Sequence, residues 1–278
     1  MALKKSFVPH SHLVYPEITD QHYLKVDNIH KVTLDKDYPY IDKSKSFRFK
    51  QFLIRIVIFI VVFPVSRIRF GLRIRGRKNI RKNKKLFKKG VISICNHVNL
   101  WDYLMIMRGI LPFKPCVLVW DKNVIGKDAT LIRMVGGIPI PINDPQATLA
   151  YLNTIKEYLD NGGWLHIYPE GSMWEYYRPI RPFKKGVAHL ARLHDKPVLP
   201  MAVSYRKPGW IRSTLFRQNA RYNLCIGEPI FINKDLDIQE QEIDLLKRCH
   251  ETVLKLAGLT EYDNGYEPIF NNSKKIDF

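Results

Sequence analysis

At 278 residues the chain is long enough for one large α/β domain with a sizeable core, or at most two small domains. Hydrophobic residues at 46% and aromatics at 12% exclude a disordered polar chain. The formal net charge of +19 is unevenly placed: Lys43 to Lys89 holds 17 Lys and Arg and no Asp or Glu, so the basicity belongs to one segment.

Residues 1–45 are rich in His, Tyr, Pro and Asp with weak periodicity, and read as an extension that is loosely ordered or wraps a neighbouring surface. Lys4 and Lys5 are followed by Pro9, His10 and His12 and not by an apolar run, so no signal peptide is read there. Residues 46–75 form a basic, apolar segment. Its run from Phe52 to Val65 is broken by Arg55 and Pro64, and is shorter than the ~20 apolar residues a bilayer crossing needs. Lys43, Lys45, Arg48 and Lys50 precede it, and Arg67, Arg69, Arg73, Arg75 and Arg77 follow. The pattern predicts a membrane-interfacial or re-entrant helical segment against an anionic membrane surface, with a buried core helix as the alternative.

From residue 76 to 258 the pattern alternates. Strands are predicted at 91–95, 116–120, 138–142, 164–168, 197–203 and 224–232, and helices at 100–110, 147–160, 185–194 and 239–256. The fold class is therefore α/β: a single mostly parallel sheet flanked by helices, with functional residues beyond the carboxyl ends of its strands. Asp235 or Asp237 is expected near the start of the last helix, and residues 259–278 read as a polar, frayed tail. Cys95, Cys116, Cys225 and Cys249 form no C-x-x-C pair and mostly sit in apolar runs, which predicts reduced, buried thiols and a cytosolic setting.

The chain turns on Val91-Ile92-Ser93-Ile94-Cys95-Asn96-His97-Val98-Asn99-Leu100-Trp101-Asp102. A β-branched buried strand delivers His97 at its exit, and a helix opens around Asn99, the expected N-cap. Asp102 falls in the first helical turn, where backbone N–H groups and the helix dipole favour a carboxylate. Aspartate fixes the imidazole tautomer, so the other ring nitrogen can take a proton from a hydroxyl. His22–Asp27 and His30–Asp35 repeat the interval without a strand before them, and read as accidental. A second strand-and-turn, Trp164 to Ser172, places Glu170 at the same edge. The basic run Arg178, Arg181, Lys184 and Lys185 follows it, while His166 reads as a core histidine.

These residues resemble the glycerolipid (lysophosphatidate-type) acyltransferases. Asn96-His97-x-x-x-x-Asp102 is similar to their first motif, Tyr168-Pro169-Glu170-Gly171-Ser172 to their third and Val198-Leu199-Pro200 to their fourth; Arg181 to Ala188 is similar to the segment after the third. The likeness covers roughly residues 76–232. It implies transfer of a fatty acyl group from an acyl thioester, acyl-CoA or acyl-carrier protein, to a lysolipid hydroxyl at the cytoplasmic face of a membrane. His97 would be the general base and Asp102 its orienting partner. Asn99, Glu170, Gly171, Ser172, Arg178, Lys184 and Lys185 would face the acceptor, the acyl-chain pocket would be apolar, and neither metal nor cofactor is implied. Two departures stand out: Asn99 replaces a frequent Ser, and Ile142 (or Asn143) and Met173 stand where the family has arginines thought to meet the acceptor phosphate. A nucleic-acid-binding protein is the reading of another class, and the apolar centre of the basic segment argues against it. A lipid-binding protein without turnover is the third.

Overall fold

The computed structural model describes residues 7–9, 11–19, 21–22 and 31–265. Helix α1 (Lys45–Val57) runs through a π turn (Ile58–Val62) into α2 (Phe63–Phe70), and is followed by β1 (Arg73–Arg75), α3 (Arg77–Lys82) and α4 (Lys84–Phe87). The central part comprises β2 (Val91–Ile94), α5 (Asp102–Gly109), β3 (Pro115–Val119), α6 (Ala129–Met134), β4 (Gly137–Pro139), α7 (Pro145–Asp160) and β5 (Trp164–Ile167). Then come α8 (Gly186–Leu193), β6 (Val198–Arg206), α9 (Trp210–Thr214), β7 (Arg221–Ile226), α10 (Ile238–Ala257) and α11 (Glu261–Asn264).

The strands form one seven-stranded sheet in the order β1-β7-β6-β2-β5-β3-β4. β6, β2, β5, β3 and β4 are parallel; β7 returns antiparallel beside β6, and β1 pairs parallel to β7. The mostly parallel α/β sheet read from the sequence is the observed one. Alternation along β2 explains why it is covered on both faces. Ile92 and Ile94 join the core under α7, α8 and α10, while Val91 and Cys95 join the core under α5 with Met105, Ile106 and Ile110.

Four differences from the sequence reading have physical causes. β1 went unread because Arg73-Ile74-Arg75 is a short edge strand with a single apolar residue, held by its register with β7. The expected strands at 138–142 and 224–232 end early, at Pro139 and Ile226; Pro141 stops the first, and Gly227 with Pro229 interrupts the second, which pairs again at Ile230 with Val198. Residues from Leu259 are not frayed as far as they are described. Leu259 is buried, and the Asn264 side chain bonds both the N–H and the C=O of Ile180, as a strand partner would. Finally, Lys45–Phe70 is a 26-residue helix, long and apolar enough by length and composition to cross a membrane. Pro64 does not break it, since it falls in the first turn of α2 directly after the π turn. One side of this helix packs on α5 through Ile58, Phe63 and Met107, while Phe52, Phe59, Ile60, Val65 and Ile68 are exposed.

Candidate active site

β2 is wholly buried and leads into Asn96, whose amide mimics a backbone unit. It donates to the Val203 carbonyl at 3.0 Å and accepts from the Val203 N–H at 2.8 Å. The chain therefore leaves the sheet at a fixed point and presents His97. Asp102, the first residue of α5, is fully buried. Its Oδ2 accepts the N–H groups of Val98 at 2.6 Å and Asn99 at 2.8 Å, and meets His97 Nδ1 at 3.3 Å. Burial pushes the Asp102 carboxyl above its ordinary range, against the pull of His97 and the two amides. The His97 side chain keeps 25% of its surface open. The Tyr168 ring stacks on it at 3.8 Å and 11°.

Asn99 is not the N-cap of α5. Because Asp102 reaches back to the Val98 and Asn99 amides, the helix starts later and Trp101 occupies the cap position. The Asn99 side chain instead accepts from the Trp101 N–H, donates to the Tyr222 hydroxyl at 3.0 Å and meets Glu175 at 3.3 Å.

The sequence puts Glu170 on the wall of a polar site; the structure buries it. Its Oε2 accepts the His97 N–H at 3.1 Å and Arg181 Nη2 at 2.7 Å, and its Oε1 accepts the Arg181 N–H at 3.0 Å. Arg181 is itself buried, donates to Ser172 Oγ at 2.6 Å and to the Thr19 carbonyl, and lies over the Trp174 ring at 4.4 Å. Glu170, Ser172 and Arg181 thus form a closed cluster beneath the His97 loop. The same loop is pinned by Trp174 N–H to the His97 carbonyl and Tyr176 N–H to the Val98 carbonyl. Gly171 is exposed at φ +80°, and a Cβ there would meet the Lys184 side chain at 2.7 Å. Lys184 and Lys185 are exposed beside it. In Arg178 the Nε and Nη2 atoms are buried without a hydrogen-bond partner among the described residues. Ile142 is exposed and Met173 buried.

The other histidines separate cleanly. His166 is fully buried, with Nδ1 at 2.8 Å from Ser93 Oγ; burial, then the nearby His97, push it down to about 3, so it is a neutral core residue. His22 stacks on Trp120, whereas His30 and Asp27 lie outside the described residues. Sequence reasoning missed the Tyr168 stack and Glu175; of its two readings of residues 1–45, an extension that wraps a neighbouring surface is the one the described contacts fit. The Tyr15 hydroxyl donates to the Glu175 carbonyl, and Trp174 Nε1 donates to the Gln21 carbonyl.

Residues 71–204 match the family model described as Acyltransferase. Over that span, just under half of the chain, it is similar to the acyltransferase family. The matched span contains His97, Asp102 and Glu170. A 1-acyl-sn-glycerol-3-phosphate acyltransferase of Cocos nucifera is 25% identical over 203 residues, covering 68% of this chain and 64% of that relative's own length. The crystal structure of the 1-acyl-sn-glycerophosphate acyltransferase PlsC from Thermotoga maritima superposes with a TM-score of 0.51 at 19% identity, over 78% of this chain and 84% of that one. At that identity the likeness speaks for the fold, and the two chains share it.

Proposed function

We propose that this chain moves a fatty acyl group from an acyl thioester, acyl-CoA or acyl-carrier protein, to a lysolipid hydroxyl at the cytoplasmic face of an anionic membrane. Lysophosphatidate is the acceptor the reading favours. The observation that carries it is the His97–Asp102 contact: Asp102 engages Nδ1 and leaves Nε2 as the ring nitrogen for a substrate. The acceptor hydroxyl oxygen attacks the thioester carbonyl carbon while its proton passes to His97 Nε2. The tetrahedral intermediate expels the thiolate, which takes the proton back from imidazolium, giving an ester and a free thiol. A thioester is already activated, so positioning and deprotonation supply most of the catalysis. Asp102 holds the tautomer, Tyr168 holds the ring plane, and Glu170 and Ser172 hold the loop through the His97 amide and Arg181. An apolar cavity of about 300 Å³ between α1 and the Leu111–Lys114 turn, lined by Phe52, Ile56, Phe59, Met107 and Phe113, suits a lipid chain.

Phosphate recognition falls to Arg178, with Gly171 and the Lys184 and Lys185 side chains beside it. A buried guanidinium with unused donors calls for an anion. Arg181 is excluded from that role because Glu170 and Ser172 already fill it. A second acceptor class, another lysolipid or a glycolipid, is favoured by Met173 and by Glu175, a half-buried carboxylate that suits hydroxyl donors better than phosphate. The test is labelled acyl-CoA and acyl-carrier protein, each offered with lysophosphatidate and with uncharged monoacylglycerol. Arg178→Ala should raise KM for lysophosphatidate alone. Equal use of both acceptors by the unmutated enzyme would remove the phosphate site, and no ester product from any lysolipid would remove the reading.

A further inference from the structure

The β6–β7 connection carries large apolar side chains that the proposed chemistry does not use. Trp210 is 78% exposed and Leu215 72%, with Ile211 and Phe216 more than half exposed. Single exposed apolar residues are ordinary, but four within one short turn of chain mark a surface that something covers.

This turn is fastened to the end of α2. Arg212 Nη1 donates to the Ile68 carbonyl at 2.6 Å, the Gln218 amide donates to the Arg69 carbonyl, and Arg206 donates to the Gly71 carbonyl. The exposed turn therefore continues the surface on which α2 exposes Val65 and Ile68. From Arg206 to Arg221 the chain carries Arg206, Lys207, Arg212, Arg217 and Arg221 and no acidic residue. Burial, and after it the neighbouring Arg221, Arg73, Arg75 and Arg212, push the Arg206 guanidinium down to about 10. Apolar tips ringed by cations match acyl chains below and anionic headgroups above, with Trp at the boundary.

Topology then sets the orientation. β6 runs parallel to β2, so the connection leaves the sheet at the same edge as His97. Phe70 packs on Tyr222 at 5.7 Å, and the Tyr222 hydroxyl takes the Asn99 amide, next to the exposed Leu100 and Trp101.

We propose that Trp210, Ile211, Leu215 and Phe216 form a second membrane contact that inserts into an anionic lipid bilayer beside α1–α2 and turns the His97 edge of the sheet toward the membrane plane. The inference rests on the membrane reading of α1–α2 and adds what that helix alone does not supply, a second point that fixes the tilt. A lysolipid could then reach His97 without leaving the bilayer.

The full chain, reconstituted in phosphatidylcholine vesicles with and without phosphatidylglycerol, tests it. Acyl chains brominated near the headgroup should quench a component of tryptophan fluorescence that Trp210→Phe removes, more so with phosphatidylglycerol present. Trp210→Glu with Phe216→Glu should raise the apparent KM for vesicle-borne lysophosphatidate roughly tenfold, and leave the rate on detergent-dispersed lysophosphatidate unchanged. If wild-type protein associates with vesicles through α1–α2 but Trp210 is not quenched, the second contact is overturned and the helix reading stands. An equal loss in vesicles and detergent would assign these residues to folding and also overturn it. So would self-association that the double substitution abolishes without any quenching, since a second copy would then cover the patch. Failure of the unmutated chain to associate with vesicles overturns both readings.

Discussion

Asp102 and Glu170 are both wholly buried carboxylates, and both touch His97, yet they are built for different work. Glu170 spends both oxygens on three donors, and two of those belong to the buried cation Arg181. Among the described residues Asp102 pairs with no cationic side chain other than the histidine; one oxygen gathers two amides and Nδ1, and Oδ1 has no partner there. A carboxylate neutralised by arginine cannot stabilise imidazolium strongly, whereas one whose counter-charge must come from the histidine does so. Proximity to His97 therefore does not define the role; the counter-charge does.

Removing the base should give the largest effect. His97→Ala should lower kcat by about two to four orders of magnitude, the usual range for a lost general base, with little change in thermal unfolding. Asp102→Asn should also be severely impaired yet folded, because an amide oxygen can still accept the Val98 and Asn99 N–H groups. A folded His97→Ala protein turning over near the normal rate would end the comparison. Glu170→Gln should behave in the opposite way. It leaves the Arg181 charge buried without its partner, a loss of about 3–5 kcal/mol, so the fall in activity should follow a fall in denaturation midpoint. A stable Glu170→Gln protein with a pure kcat defect would instead place Glu170 at the substrate.

The difference between these two carboxylates was only half legible in the sequence. The dyad was readable because a β-branched strand, Asn96 and a helix start frame His97 and Asp102, and local pattern determines all three. Sheet class was readable for the same reason, from runs such as Val91–Ile94. Burial of Arg181 was not. A guanidinium in a basic run reads as surface charge, and only the fold brings it under Glu170, Ser172 and the Thr19 carbonyl. The exposed Trp210 turn was invisible likewise, since Ile211 and Leu215 have the composition of core residues. Pro64 was read as a break, and the π turn before it restores the helix.

A pH series separates the core histidine from the proposed base. His166 is ordinarily protonated near 6.5 and is pushed down to about 3 when folded. The unfolded chain therefore binds the proton first as pH falls. Stability is fully present above about 6.5 and is lost progressively toward 3. His166→Gln should flatten that part of the unfolding-midpoint profile while lowering the neutral-pH midpoint, since Ser93 Oγ loses its imidazole partner and keeps the bond from Trp164 Nε1. An unchanged acid slope would mean that other groups set it.

The smallest effect tests how the base is held. Tyr168 offers His97 a flat face at 3.8 Å and 11°, while its hydroxyl is buried without a partner among the described residues. The ring, and not the hydroxyl, is thus the part that bears on the imidazole. Stacking of this kind is worth ~0.5–1.5 kcal/mol, which bounds the rate loss on its removal at about tenfold. Tyr168→Phe should keep kcat and its pH profile, or improve stability slightly by removing an unsatisfied group. Tyr168→Leu, similar in apolar character but not planar, should lower kcat up to tenfold with KM for the thioester unchanged, because the imidazole can then rotate away from Asp102. Equal loss in the Phe and Leu variants would shift the role to the hydroxyl, and a change confined to KM would make Tyr168 a binding residue.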